Sequence, residues 1–126
     1  MWKPNVLLAE DNDDMRQLYC LVLSQAGFEV REAMNGKEAL ADLKRSRPDV
    51  LITDIMMPVM DGLELIARVK NEPSLSDLPI IAISAYGGEY LSRAYTVGAT
   101  GVIGKPIDPD SLIDAVIHAL PAKTDH

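Results

Sequence analysis

The stretch VLITDIMMPVMDG, from Val50 to Gly62, joins a short apolar segment to a carboxylate and a loop. Val50 to Thr53 have the residue types of a buried strand, and they run directly into Asp54. In the loop that follows, a methionine pair is closed by Pro58 and an Asp-Gly pair. A buried strand that delivers an acid at its end raises the question of whether Asp54 is a local cap or a reagent.

The composition is typical of one globular domain. Of the 126 residues, 48% are hydrophobic and 25% are charged, so we expect residues 1–126 to form one domain with 121–126 as a loose tail. No apolar run is long enough to cross a bilayer, and the first residues lack the long apolar stretch of a signal peptide. Cys20 is the only cysteine, which excludes an internal disulfide. These features favour the cytoplasm and argue against a membrane protein.

The chain is acidic, with a formal net charge of −7. Domains that bind nucleic acids usually carry the opposite charge. The densest basic cluster, Lys44 with Arg45 and Arg47, is expected to be the solvated end of a helix, where positive charge suits the helix dipole. We therefore expect no direct contact with nucleic acid.

Strand-like and helical patterns alternate five times along the chain. Short apolar runs predict strands at Val6–Ala9, Phe28–Ala33, Val50–Thr53, Ile80–Ile83 and Val102–Ile103. The first helix is predicted to have Asp13 as its N-cap, and the last to have Asp108 as N-cap with Pro109 in its first turn. The apolar positions at helical spacing are Met15, Leu18, Leu21 and Val22 in the first helix, and Leu112, Ile113, Val116, Ile117 and Leu120 in the last.

Such an alternation predicts an α/β fold, a doubly wound domain of five strand–helix units whose parallel sheet is covered by helices on both faces. In open sheets of this kind, ligands bind at the carboxyl ends of the strands. The residues at those ends are therefore the first candidates for a site. They are Glu10 and Asp11, Asp54, Ser84 and Ala85, and Gly104, Lys105 and Pro106.

These residues would place three carboxylates, a hydroxyl and an ammonium in a small volume. One lysine leaves a net charge of about −2, so that either one acid stays protonated or a divalent cation binds. Ligands that are all oxygen suit Mg²⁺, which also binds phosphate oxygens. A metal and Lys105 would neutralise an incoming phosphoryl group, for which Asp54 would be the nucleophile. Ser84 offers that group a donor, and Ala85 is small enough to leave the approach open.

From about Val6 to Leu120, the chain resembles the receiver domain of bacterial two-component response regulators. The resemblance rests on four segments that follow in the right order: the acidic pair in LLAEDN, the segment DIMMPVMDG, the hydroxyl residue in IIAISA, and GKPI after the fifth strand. It implies a flavodoxin-like, CheY-like sheet with strand order 2-1-3-4-5. It also implies a signalling domain whose acyl phosphate shifts its conformation and changes its binding to partners.

The resemblance implies a role for each residue of the site. Asp54 is expected to accept a phosphoryl group from a phosphohistidine on a partner. Lys105 is expected to bind that group, with a cis peptide bond to Pro106. The expected ligands of Mg²⁺, or of Mn²⁺ in its place, are Asp11, Asp54, the backbone carbonyl of Met56 and, through a water molecule, Glu10.

Three positions suggest how this chain would differ from other receivers. Three places before the lysine, where many receivers have an aromatic residue, it has Val102, which cannot swing inward as a large ring does. We therefore expect any switch to rely on Ser84 and the loop to Gly88, with Tyr86 as the bulky group that moves. Met56 and Tyr86 lie near the expected path of a hydrolytic water, which predicts slow loss of the phosphate.

Other functions are less consistent with the residues. A hydrolase with an aspartyl nucleophile usually has a second Asp two residues later as general acid, where this chain has Met56. A flavin or nucleotide binder needs a loop rich in small residues after the first strand, but this chain has AEDNDD. A degenerate receiver used only for docking stays open, although Asp54, Ser84 and Lys105 are all present.

The resemblance implies a sensor histidine kinase or a histidine phosphotransfer protein as partner, together with a downstream target that the sequence does not name. We expect no turnover of an external substrate, and a homodimer formed on phosphorylation stays open. The start at Met1 and the polar tail favour a single-domain regulator over a piece of a longer protein.

Overall fold

The strands form one parallel sheet in the computed structural model, which describes residues 3–85 and 88–121. The described strands are β1 Asn5–Ala9, β2 Glu29–Ala33, β3 Val50–Asp54, β4 Ile80–Ser84 and β5 Gly101–Gly104. Their order in the sheet is β2-β1-β3-β4-β5, which confirms the predicted topology. Of the tail predicted at 121–126, only Pro121 lies within the described residues.

A helix follows each strand, and the helices are α1 Asp13–Gln25, α2 Gly36–Arg45, α3 Gly62–Asn71, α4 Gly88–Val97 and α5 Pro109–Ala119. The last helix begins as predicted, with Asp108 accepting from a backbone N–H of the first turn and Pro109 opening the helix. The predicted cap of the first helix is wrong by one residue. Asn12 is the N-cap and accepts from the N–H of Met15, because the backbone of Asn12 is extended whereas Asp13 is already helical. No described helix is both long and apolar enough to cross a membrane.

The helices cover both faces of the sheet. Successive strand residues point to opposite faces. Leu7 and Leu51 therefore belong to the core on the side of α2, α3 and α4, whereas Leu8 and Ile52 belong to the core on the side of α1 and α5. Because both faces are buried, the central strands are continuous apolar runs rather than alternating ones.

Helix α1 turns toward the core a face that differs from the one its apolar residues predict, whereas α5 buries Leu112 and Val116 as predicted. The residues that α1 buries are Arg16, Tyr19 and Leu23. Leu18 and Leu21, which the spacing predicts on the apolar face, are about half exposed, and so is Ile117 in α5. Arg16 and Tyr19 lie almost one turn apart, and the Arg16 guanidinium reaches a carbonyl at the edge of the sheet. The orientation of α1 thus follows a polar contact as well as hydropathy.

Candidate functional site

The carboxyl ends of the strands bring the predicted charged residues together. Glu10 follows β1, Asp54 is the last residue of β3, and Lys105 follows β5. Lys105 Nζ lies 2.8 Å from Asp54 Oδ2 and 3.6 Å from Glu10 Oε1. One carboxylate oxygen from each of Glu10, Asp11 and Asp54 lies within 4.8 Å of the other two. Segments that are distant along the chain thus form one charged cluster at the edge of the sheet.

The members of this cluster differ in exposure. Glu10 is 1% exposed and Asp54 is 4% exposed, whereas Asp11 is exposed and Lys105 is partly buried. The two buried acids belong to the end of the core, and the exposed acid faces solvent. The cluster is therefore fixed on one side and accessible on the other.

The other predicted residues lie around the same edge. Ser84 is the last residue of β4 and is buried, whereas Ala85 and Met56 are exposed. The peptide bond before Pro106 is cis, as predicted. Tyr86, which we expect to move in the switch, lies outside the described residues. The dependence of the switch on this loop stays a prediction.

The loop from β3 to α3 holds Asp54 in place. The backbone N–H of Met56 donates to Asp54 Oδ1 at 3.2 Å. Asp61 is the N-cap of α3 and accepts from a backbone N–H of the first turn at 2.8 Å. A Cβ at Gly62 would lie 2.2 Å from the backbone carbonyl oxygen of Asp54, so a side chain there would push α3 away from the acid.

The turn after β1 is held by Arg16, which the sequence reasoning missed. Arg16 Nη1 donates to the backbone carbonyl of Glu10 at 2.9 Å, and its guanidinium also pairs with Asp13 and Glu32. The backbone N–H of Asn12 donates to Glu10 Oε2 at 3.1 Å. The spacing of Asp13 and Arg16 on a helix is a signal for the ion pair between them, but it does not indicate that the arginine turns inward.

Burial and charge shift the pKa values of the cluster. Burial raises the pKa of Glu10 to about 7; the backbone N–H of Asn12 opposes the rise, and the charge of Asp54 adds to it. Burial alone would lower the pKa of Lys105, but the hydrogen bond with Asp54 and the charges of Asp54 and Glu10 raise it. The lysine therefore stays protonated, and Glu10 exchanges its proton near neutral pH. Protonation of one acid is the first of the two predicted ways to relieve the excess charge.

The same cluster fits a divalent metal ion. When all three acids are ionised, three carboxylates against one ammonium leave a net charge of about −2. Glu10 Oε1 is buried and has no hydrogen-bond partner among the described residues, so it has lone pairs free for the water of an ion as well as for another donor. The side chains that would hold the ion offer only oxygen atoms, which suits Mg²⁺. They are Glu10, Asp11 and Asp54.

Comparison with known proteins places this arrangement in a family. The model of the response regulator receiver domain matches residues 6–117. The chain belongs to this family. The receiver domain is 31% identical to sporulation initiation phosphotransferase F of Bacillus subtilis, over 98% of this chain and 99% of that protein. It is 34% identical to chemotaxis protein CheY4 of Vibrio cholerae, with a TM-score of 0.89 over 94% of this chain and 100% of that chain.

The receiver domain spans about half the length of several other relatives. One is the phosphate regulon transcriptional regulatory protein PhoB of Pseudomonas aeruginosa, which is 34% identical over 86% of this chain and 48% of that protein. The family confirms the predicted resemblance and the flavodoxin-like fold. Receiver domains generally bind Mg²⁺ at an acidic pocket and interact with a histidine kinase or a phosphotransfer protein, and this chain has the acidic cluster.

Proposed function

We propose that this receiver domain is an active phosphoacceptor and that Asp54 accepts the phosphoryl group. The observation that carries the proposal is the contact of 2.8 Å between Lys105 Nζ and Asp54 Oδ2, beside two further carboxylates. Burial raises the pKa of Glu10, which means that the ionised form of this acid is disfavoured in the cluster. A receiver used only for docking would have no need of charged groups held in this unfavourable way. The cluster therefore supports an active phosphoacceptor over a degenerate receiver that is used only for docking.

In the proposed reaction, a carboxylate oxygen of Asp54 attacks the phosphorus of a phosphohistidine on the partner. An O–P bond forms and the P–N bond breaks, and its electron pair stays on the imidazole nitrogen as a lone pair; the other ring nitrogen already carries a proton, so that a neutral imidazole leaves. The ammonium of Lys105 contacts the carboxylate of Asp54. As negative charge moves from the carboxylate to the phosphoryl oxygens, this ammonium would shift to contact those oxygens. Ser84 would donate to one of those oxygens, and the small, exposed Ala85 leaves room for the approach.

A divalent ion would neutralise the charge of the phosphoryl group and orient it. We assign it to Asp11, Asp54, the backbone carbonyl of Met56 and, through water, Glu10, with Mg²⁺ as the ion and Mn²⁺ as a substitute. The role of the chain is to hold these oxygens together at the ends of β1 and β3.

The product would be an acyl phosphate on the protein itself, so no external substrate is turned over. The new charge at Asp54 would change the conformation near Ser84 and with it the binding of a downstream target, or of a second copy of the chain. We propose a sensor histidine kinase or a histidine phosphotransfer protein of the cytoplasm as the donor. Met56 is exposed beside Asp54, which supports the prediction that hydrolysis of the phosphate is slow.

The proposal is tested by incubating the protein with acetyl phosphate and Mg²⁺ and measuring its intact mass. We expect the mass to rise by one phosphoryl group in the wild type and in Asp110→Asn, which removes an exposed acid of α5. We expect no increase in Asp54→Asn, or in the wild type with EDTA. A wild type that gains no mass would favour the docking module, and turnover of a generic phosphomonoester would revive the hydrolase.

A further inference from the structure

Two buried oxygen atoms near the cluster have no hydrogen-bond partner among the described residues. They are Glu10 Oε1 and the hydroxyl of Tyr19. The residue that carries the second, Tyr19, is only 3% exposed. A buried hydroxyl without a partner costs about 1–3 kcal/mol. Two such atoms in one part of the core point to a shared partner.

Tyr19 belongs to the core on the face of the sheet toward which Glu10 and Asp54 are directed. It packs in the core between the sheet and helices α1 and α5, together with Leu8 and Ile52. Because side chains alternate along a strand, Glu10 and Asp54 continue the rows of Leu8 and Ile52 on this same face. The side chain of a helical residue leans toward the N-terminus of its helix, and α1 begins at the site. We therefore expect the phenol of Tyr19 to be directed toward the charged cluster.

The electrostatic environment of the phenol agrees with this position. Burial raises the pKa of Tyr19, and the charges of Lys105, Glu10 and Asp54 all act on it, the lysine lowering it and the acids raising it. These influences are consistent with a phenol near the three charged groups of the site.

The contact between Lys105 and Glu10 indicates what the shared partner is. Lys105 Nζ lies 3.6 Å from Glu10 Oε1, which is too long for a direct hydrogen bond. A polar contact of this length commonly has a water beside it, and a buried water typically makes about three hydrogen bonds. Here Glu10 Oε1 would accept one bond, and the phenol and the ammonium would provide the other two.

We propose that Tyr19 is a positioning residue of the phosphoacceptor site, and that its hydroxyl shares one buried water with Glu10 Oε1 and Lys105 Nζ. Glu10 Oε2 already accepts from the N–H of Asn12. With the water bound, both oxygens of this carboxylate are held, so that Glu10 keeps its orientation toward the metal. The effect on Mg²⁺ rests on the proposed function, whereas the water itself does not.

The test compares Tyr19→Phe with Tyr95→Phe, which removes the hydroxyl of a half-exposed tyrosine on α4. Mg²⁺ binding is measured by calorimetry, and the phosphorylation rate with acetyl phosphate is measured across Mg²⁺ concentrations. For Tyr19→Phe we expect about three- to tenfold weaker binding of Mg²⁺, the scale of one lost hydrogen bond. We expect the rate at saturating Mg²⁺ to stay within about twofold of the wild type, because Glu10 loses the bond to one oxygen but is not removed. Tyr95→Phe should change neither quantity.

A urea titration with EDTA separates this role from a purely structural one. If the Tyr19 hydroxyl has no partner, Tyr19→Phe removes a buried polar group that makes no hydrogen bond. The urea midpoint of unfolding then rises, while Mg²⁺ binding stays that of the wild type. That result would overturn the proposal. A midpoint that is unchanged or lower, together with weaker Mg²⁺ binding, supports it.

A high-resolution crystal structure of the metal-free wild type tests the water directly. We expect one water within hydrogen-bond distance of the Tyr19 hydroxyl and Glu10 Oε1. A dry site, or a direct bond between the two oxygens, would overturn the proposal. This readout stays decisive even if the wild type neither binds Mg²⁺ nor gains a phosphoryl group, a failure that would count against the proposed function instead.

Discussion

Strands β3 and β5 carry the two residues of the Lys105–Asp54 ion pair at their ends, but they are packed very differently. All five residues of β3 are buried, whereas every residue of β5 is partly or fully exposed. The neighbouring helices differ in the same way, since α3 buries five residues and α4 buries only Ala94. The carboxylate of Asp54 therefore belongs to the centre of the core, and the ammonium of Lys105 belongs to a lightly packed edge.

Under the proposed function, this difference would allow one site to be both fixed and responsive. A nucleophile must be held closely, because a displacement of about 1 Å can cost about a hundredfold in rate. An ammonium on a lightly packed strand can follow a charge that moves away from the carboxylate, since few buried contacts oppose the motion. We expect β3 and α3 to keep the geometry of the site, and β5 and α4 to carry the conformational response.

The largest effect is expected from Lys105→Ala, which removes the cation of the loosely packed edge. Phosphorylation by acetyl phosphate at saturating Mg²⁺ should be about 100- to 1,000-fold slower, because no ammonium neutralises the phosphoryl oxygens. Mg²⁺ should bind more tightly, because the cation that competes for Asp54 is gone. Calorimetry and intact mass over time measure the two quantities.

Lys37→Ala is the control for this change, because it removes an exposed lysine of α2. It should leave both the rate and the affinity unchanged. If Lys105→Ala weakened Mg²⁺ binding, the two cations would not be competing for the same carboxylate.

The contrast in packing is tested by truncating an isoleucine in each strand. Ile52 in β3 is fully buried and Ile103 in β5 is partly exposed, and both belong to the same core. Ile52→Ala should lower the free energy of unfolding by about 3–4 kcal/mol because it leaves a cavity that the centre of the sheet cannot close. Ile103→Ala should cost about 1 kcal/mol because its side chain is already partly solvated. If urea titrations showed that the two variants lose the same free energy of unfolding, the distinction between the centre and the edge of the sheet would be contradicted.

A change of pH is expected to have a smaller effect on stability. The reason is that burial raises the pKa of Glu10 to about 7. A carboxyl whose pKa is higher in the folded than in the unfolded state adds stability below about pH 4.5, and this stability is lost as the pH rises through 7. Without Mg²⁺, the free energy of unfolding of the wild type should therefore fall between pH 5 and pH 8. This fall should be about 2–3 kcal/mol larger than the fall in Glu10→Gln over the same range. Urea titrations at several pH values measure the difference. Identical pH dependence of the two proteins would show that burial does not shift this acid.

Much of this site was predictable from the sequence because its pattern is local. Apolar runs such as Val50–Thr53 are read from neighbouring residues, and the rule for parallel sheets places the following acids at one edge. The cap at Asp108 was predictable for the same reason, because its partners lie within one turn.

The inward orientation of Arg16 and Tyr19 was not predictable in this way. Their burial depends on which face of α1 meets the sheet, and the more apolar Leu18 and Leu21 indicate another face. The partners of Arg16 include the Glu10 carbonyl and Glu32, a residue of the next strand, so its position is set by tertiary contacts. Periodicity alone does not contain that information.

The smallest effect on stability is expected from replacing Val59, whose backbone is strained although it lies on the well-packed side of the site. Val59 lies in the loop between Asp54 and α3 with φ of 72°, and it is 76% exposed. A β-branched residue is strained in this left-handed region, and little burial offsets the strain here. Val59→Gly should therefore raise the free energy of unfolding by about 1 kcal/mol, the relief of strain exceeding the entropy that glycine adds to the unfolded chain.

Val59→Ala is the matched variant, because it removes the branch at Cβ but keeps a side chain at the positive φ. It should lie between the wild type and Val59→Gly in a urea titration. A loss of stability in both variants would mean that the exposed valine contributes contacts that outweigh its backbone strain. If Val59→Gly is more stable yet is phosphorylated more slowly, the strain in this loop helps to hold Asp54, and the rigidity of the β3 side depends on the loop as well as on the buried strand.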